Sequence, residues 1–416
     1  MKTTLEQLAI HGGPKAKPEP YGTGMRFVGN EMEYLRQALE SNTLFFGFGQ
    51  FVKRACGMMA DYTGMPYVVA CTSGSASIHL GLVAAGIGPG DEVITTPNTD
   101  NGTVVGVLLE GAVPVFCDCE ESLQASARTV AEKITDRTRA VVVIHLAGHA
   151  APVDEIVALC KPRGIAVIED CAQSWGARLH GRQVGGFSTA GCFSTNDFKH
   201  ISTGDGGFVA LPTEDLYRRV ANYADKFYDR GFDGTLNRQH FGMNYRMSEL
   251  QGAVACAQLE QVETITARRH ALGEQLREQC RDIPGLTLLE PIADSYSTYW
   301  WTAAFVDETV LTATRDEVVQ ALQAEGANLY SYGKYDLIDT GLFQTLDMRP
   351  WLQDARRYLP LQQPDGRRYS YTLSQTPIHQ RCLQTGIQVQ VGTFYTEQDI
   401  EETALAFRKV FTAFAR

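Results

Sequence analysis

The chain has 416 residues, 44% of them hydrophobic, and a net charge of −11. That length supplies a large core, or two bodies sharing an apolar interface. The acidic balance argues against a general nucleic-acid or anionic-membrane binder and leaves room for a local pocket that takes a phosphate. Charged residues make up 20% and are mixed in sign, so no segment reads as a disordered tail. Ten cysteines are scattered along the chain. With no secretory-leader pattern and no apolar run of membrane-spanning length, reduced thiols in a cytoplasmic protein are expected. Cys117 and Cys119 have no second Cys/His pair at zinc-site spacing, so no metal is expected there.

From residue 66 to about 208 the pattern alternates. YVVAC (67–71) predicts a strand, 75–86 a helix, EVITT (92–96) a strand and 102–111 a helix. VPVF (113–116) predicts a strand, 127–134 a helix, 140–146 a strand, 151–164 a helix and 165–170 a strand. Short apolar runs between amphipathic helices predict an α/β body with a mostly parallel sheet buried on both faces. From Ser248 a long helical pattern runs to Cys280, with Ser248 and Gln251 as a capping box. Thr314 and Glu317 form a second box, Thr396 opens a last helix, and 299–306 is strand-like. These spans predict a large body at 1–255, including the N-terminal segment, and a smaller α+β body at 256–416.

Three motifs fall at the ends of predicted elements, where an α/β sheet places its ligands. CTSGSAS (71–77) joins a strand to a helix, and the N–H groups of Gly74 and Ser75 can face an anion there. A serine-capped turn with no ligand would look the same. IEDCAQSWG (168–176) puts Asp170 at a strand end, as a turn cap or as the partner of a protonated ring nitrogen. FSTNDFKHISTGDGG (193–207) sets Lys199 between a strand and a glycine-rich turn. Such a lysine can form a Schiff base, although alone it reads as a surface residue. Together the three supply what pyridoxal 5′-phosphate needs: an anion cup, an acid for the ring nitrogen and an amine for the aldehyde.

With SGSASIHLGLVAAGIGPGDEVITTP, IHLAGHAAPVDEI and FGMNYRMSELQGAVACAQLE added, the chain resembles the DegT/DnrJ/EryC1/StrS aminotransferases over most of its length. The resemblance implies fold-type I with a seven-stranded, mostly parallel sheet. It implies amino transfer from glutamate or glutamine to a keto-sugar or keto-cyclitol in amino-sugar, aminocyclitol or secondary-metabolite synthesis. Lys199 matches the Schiff-base lysine, Asp170 the acid at the pyridine nitrogen and Gln173 a residue near the ring oxygen. Gly74, Ser75 and Ser194 match the phosphate site. Asn244 matches an asparagine that reaches the phosphate from a neighbouring subunit, so a homodimer with shared sites is implied. Relatives that dehydrate a sugar carry histidine at the lysine position, so Lys199 favours amino transfer.

Two positions depart from the family pattern. Asp100 stands where an aromatic side chain usually stacks on the ring, and Thr195 replaces a phenylalanine. Asp100, His145 and Tyr332 are candidate substrate contacts, with Lys334 and Tyr335 beside the last. His145, His149 and Asp154 lack the spacing of a metal site. Trp300 and Trp301 read as core. A nicotinamide oxidoreductase would need a G-x-G-x-x-G turn opening a helix, and GIGPGDE precedes a strand instead. The remaining alternatives are another reaction on the same cofactor, or a non-catalytic regulator that binds it.

Overall fold

The structure, a computed structural model, describes residues 4–228, 240–333, 336–363 and 365–416. Strands β1 (Tyr67–Cys71), β2 (Glu92–Thr95), β3 (Val113–Phe116), β4 (Thr138–Ile144) and β5 (Ala166–Asp170) form in the apolar runs read from the sequence. Two short strands, β6 (Arg178–Leu179) and β7 (Arg182–Gln183), precede β8 (Ala190–Ser194) and β9 (Gly207–Leu211). Seven strands make one sheet in the order β1-β9-β8-β5-β4-β2-β3. β9 runs antiparallel to its neighbours β1 and β8, and the other pairings are parallel. The fold is thus the mostly parallel α/β sheet that the alternation predicts.

Side-chain alternation sorts the strands' residues onto two faces. Val141, Val143, Val167 and Phe208 enter one core, while Ala140, Val142, Ile168 and Val209 enter the other. Burial on both faces explains the unbroken apolar runs. It also leaves the strand ends open to polar groups. Asp170 ends β5, and Gly74, Asp100 and Lys199 stand just beyond the carboxyl ends of β1, β2 and β8.

A second body is built on β10 (Leu286–Leu288), β12 (Trp301–Val306), β13 (Leu329–Ser331) and β14 (Gly386–Gln390). They form an antiparallel sheet in the order β10-β12-β14-β13. Strand β11 (Ser295–Tyr296) crosses to pair with β6 of the first body. Capping boxes stand at Ser248/Gln251 and Thr314/Glu317, and another at Thr396/Asp399.

One expectation needs revision, and two further features were not read from the sequence. The long helix from Ser248 is two helices, Glu249–Leu259 and Val262–Cys280. The first packs Ala253 and Cys256 into the sheet's core and the second packs Leu272 and Leu276 into the second body, so one straight rod cannot serve both. Residues 8–17 pack with the second body: Leu8 is in its core, and the buried Lys17 ammonium lies 2.6 Å from Asp399 and 3.1 Å from Glu402. A buried cation needs carboxylates, and both sit on the last helix. Finally, apolar residues between β13 and β14 form a small core jointly with the first body. Leu337, Phe343, Leu361 and Tyr371 cover Val104, Leu108 and Phe116 of the first body. Among the described residues no helix is long and apolar enough to cross a membrane.

Candidate active site

Two helix N-termini converge beyond the strand ends. Ser73 caps the helix Gly74–Ala85, its hydroxyl accepting the Ala76 N–H at 3.1 Å. Asp100 caps the helix Asn101–Leu109, its carboxylate accepting the Gly102 N–H at 2.8 Å. A Cβ on Gly74 would lie 2.6 Å from Ser194 Cβ, and one on Gly102 2.6 Å from Ser75 Oγ. Only glycine permits approaches this close. The first N–H groups of both helices are unsatisfied by helical bonding and carry the positive end of the dipole. This end of the cavity therefore suits an anion.

Asp170 is a buried carboxylate of this cavity. It ends β5 and is buried, with Oδ1 accepting the Ala172 N–H at 3.1 Å and Oδ2 accepting the Thr103 hydroxyl at 2.9 Å. Burial raises its pKa, against the pull of those hydrogen bonds and of Lys199. The carboxylate is thus held in one orientation and poised to favour a cationic neighbour.

Lys199 sits in the loop that links β8 to β9. Thr195 closes this loop: its N–H donates to Gly206 O at 2.9 Å, and its hydroxyl meets that of Thr203 at 2.6 Å. A phenylalanine there could not make the second contact. The Lys199 carbonyl accepts Arg26 Nη2 at 3.0 Å, and its Nζ lies 4.0 Å from the centroid of the Trp300 ring. Burial lowers the pKa of the amine, while Asp170 and Asp100 raise it.

One cavity of about 290 Å³ is lined by Gly74, Ser75, Asp100, Asp170, Gln173, Ser194 and Lys199. Gln173 is oriented by its Oε1, which accepts the Ala147 N–H at 3.0 Å. Thr103, Asn196, Asp205 and Trp300 line the cavity too and were not anticipated. Trp300 had been assigned to the core, and only Trp301 is buried there. Trp300 stands just before β12, whose first four residues are all buried, and this position outside the strand leaves it at the cavity.

Other candidates lie elsewhere. His145 is fully buried and is not a cavity residue, which removes it as a substrate contact. Its Nδ1 accepts the Ala151 N–H at 3.0 Å, so its Nε2 donates to Glu169 at 3.1 Å. Glu169 also accepts from Gly185, Phe187 and Ser188, so in the trio of His145, Glu169 and Cys171 both ring nitrogens and both carboxylate oxygens are already committed. His149 bonds Ser297 and Asp154 bonds His180. Tyr332 is buried against Trp301 and does not line the cavity, so it is a packing residue and not a substrate contact. Lys334 and Tyr335 lie outside the described residues. Asn244 is exposed and bridges Asp225 through its backbone, outside this cavity.

The pattern of the DegT/DnrJ/EryC1/StrS aminotransferase family matches residues 27–353. GDP-perosamine synthase of Escherichia coli O157:H7 is 31% identical over 70% of this chain and 77% of its own length. A Micromonospora echinospora protein provisionally assigned as an L-glutamine:3-amino-2,3-dideoxy-scyllo-inosose aminotransferase is 31% identical over 87% of this chain and 88% of its own length. The crystal structure of an aminotransferase from Psychrobacter cryohalolentis superposes with a TM-score of 0.81 at 26% identity, covering 95% of this chain and 99% of that one.

Proposed function

Because the chain belongs to the DegT/DnrJ/EryC1/StrS aminotransferase family, we propose that it moves an amino group from glutamate or glutamine to the ketone of a sugar or cyclitol, using pyridoxal 5′-phosphate. The observation that carries this reading is that Lys199 and Asp170 line one cavity whose other end is built from two helix N-termini. These groups fit the cofactor's chemistry: Gly74, Ser75 and Ser194 would hold its phosphate, Asp170 its ring nitrogen and Lys199 its aldehyde carbon, with Gln173 alongside. When bound, pyridoxal phosphate supplies the electron sink for a carbanion at the donor's α-carbon. The named relatives act, by their names, in perosamine and inosose amination, which supports a keto-sugar or keto-cyclitol acceptor.

The chain's own residues then divide the work. The Lys199 amine, whose pKa is lowered by burial, has a raised neutral fraction and takes the proton from the donor's α-carbon. It returns a proton to the acceptor carbon in the second half of the cycle. Asp170, oriented by Thr103 and Ala172, stays opposite positive charge throughout. The Trp300 face beside Nζ favours the ammonium form and so steadies Lys199 while it carries the proton.

We further propose a homodimer in which Asn244 reaches the partner's phosphate site, and a cytoplasmic setting, supported by ten free thiols. Replacing Lys199→Ala is expected to abolish both turnover and the cofactor's absorbance near ~420 nm. Borohydride reduction and peptide mapping should place the label on Lys199. Full activity in the alanine variant would refute the assignment.

A further inference from the structure

Beside the Lys199 cavity lies a second one of about 560 Å³, and Phe198 and Trp300 line both. Its other walls include Arg269, Asn328, Gln388 and Gln390. Arg269 is only 7% exposed. Its Nε donates to Thr393 Oγ1 at 2.8 Å, and its Nη1 reaches the carbonyls of Tyr299, Trp300 and Val391 at 3.0, 3.2 and 2.5 Å. Among the described residues its Nη2 has no hydrogen-bond partner and no carboxylate pairs with the guanidinium. The acids Asp399 and Glu402 are taken by Lys17. A second guanidinium, Arg26, acts on the same group and is paired only loosely with Asp197 at 3.5 Å. Burial and Arg26 together push Arg269 down to about 10.

Carbonyl oxygens orient a guanidinium but do not neutralise it. A buried cation without a counter-charge is unfavourable unless an anion arrives to complete it. With Nε and Nη1 committed, the two N–H bonds of Nη2 remain to donate to an oxygen of a carboxylate or a phosphate, a charge-assisted hydrogen bond. The polar amides of Gln388 and Gln390, on alternate positions of β14, add donors to the same space.

We propose that this second cavity is an oxyanion subsite, in which the free Nη2 edge of Arg269 receives a carboxylate or phosphate oxygen next to the Lys199 cavity. The inference rests on the aminotransferase reading only for the anion's source: the α-carboxylate of an amino donor or the phosphate of a nucleotide-linked ketone. Arg269 also holds the Trp300 carbonyl, so an anion bound there would bear on the ring against Lys199.

The test is calorimetric titration of the cofactor-loaded protein, its phosphate cup filled, with glutarate and with pyrophosphate. Truncating Arg269 would remove four hydrogen bonds and put folding at risk, so the variants are Gln390→Glu and Gln388→Glu. Each places a carboxylate in the cavity while sparing Arg269. The expected result is binding of at least one probe, weakened about tenfold or more in Gln390→Glu. Glutarate alone would identify the donor as the source, pyrophosphate alone a nucleotide-linked acceptor, and both the shared chemistry. No binding of either probe, or binding unchanged in both variants, would overturn the proposal. Absorbance reports cofactor content independently. A protein that takes up no added cofactor, yet binds a probe that the variants weaken, would sink the Lys199 reading and keep this one.

Discussion

Asp100 and Lys199 face one cavity, and the carboxylate acts on the amine across it. Its Oδ1 is committed to the Gly102 N–H, so its charge is fixed in place by the cap it makes. That charge opposes the effect of burial on Lys199. Asp100→Asn keeps a capping oxygen and removes the charge. Capture of added pyridoxal phosphate by the apoprotein requires the neutral amine, so its rate should rise at lower pH in the variant than in the parent. A stopped-flow pH profile checks this, and a shift to higher pH would show the sign to be wrong. His149 offers a second titration. Burial lowers its pKa from 6.5 to about 4, so the folded protein keeps it neutral. The stability this gives is present above pH 6.5 and is lost as pH falls toward 4, because the unfolded chain takes the proton first. The shift of roughly 2.5 units is worth about 3 kcal/mol. Urea unfolding of His149→Gln should show an acid limb shallower than the parent's by about that much.

At the scale of elements, local chemistry was legible and long-range partnership was not. Strands β1 to β5 and the boxes at Ser248 and Thr314 are written in residues at most a few positions apart, and they appear where the sequence puts them. The motifs with Gly74, Asp170 and Lys199 were legible for the same reason, because each sits at the end of such an element. His145 was misplaced because its Glu169 partner is 24 positions away, and Thr103 was missed because its bond to Asp170 spans 67. The 336–373 excursion was unread because its apolar residues find their core on another body. It braces the site's wall: the Leu337 N–H donates to Pro97 O at 2.9 Å, and Tyr371 OH donates to Pro114 O at 2.9 Å. Phe343 packs on the rings of Phe116 and Tyr371 at 5.0 and 4.8 Å, and those two rings also touch each other at 5.4 Å. Phe343→Ala should cost about 3–5 kcal/mol in this unit, as large-to-small core changes do. Hydrogen exchange should quicken at 97–103, where Asp100 and Thr103 reside, with kcat falling more than the far sheet loosens. Unchanged exchange there would show that the excursion is not a brace.

The whole molecule raises the question of what covers its N-terminal stretch. Met25, Phe27, Val28, Met32, Leu39, Leu44 and Phe48 are all exposed, with Met32 80% and Phe48 79% exposed. Single exposed apolar residues need no explanation, but seven within 24 positions suit a surface meant to be buried by a second copy. The position of Asn244 fits the same arrangement, since it is exposed and lies outside the cavity of its own chain. Complementation decides between a shared and a private site. Lys199→Ala and Asn244→Ala are each expected to be inactive alone, the first for want of the amine and the second through a weakened phosphate site. If Asn244 serves the partner, a mixed dimer holds one site with both defects and one site with neither. Random re-pairing of equal amounts then makes half the dimers mixed and restores about one quarter of the parent's sites. If Asn244 serves its own chain, every site in the mixture carries a defect and no activity returns. Assay after co-refolding, with sedimentation to confirm the dimer, reads the difference directly.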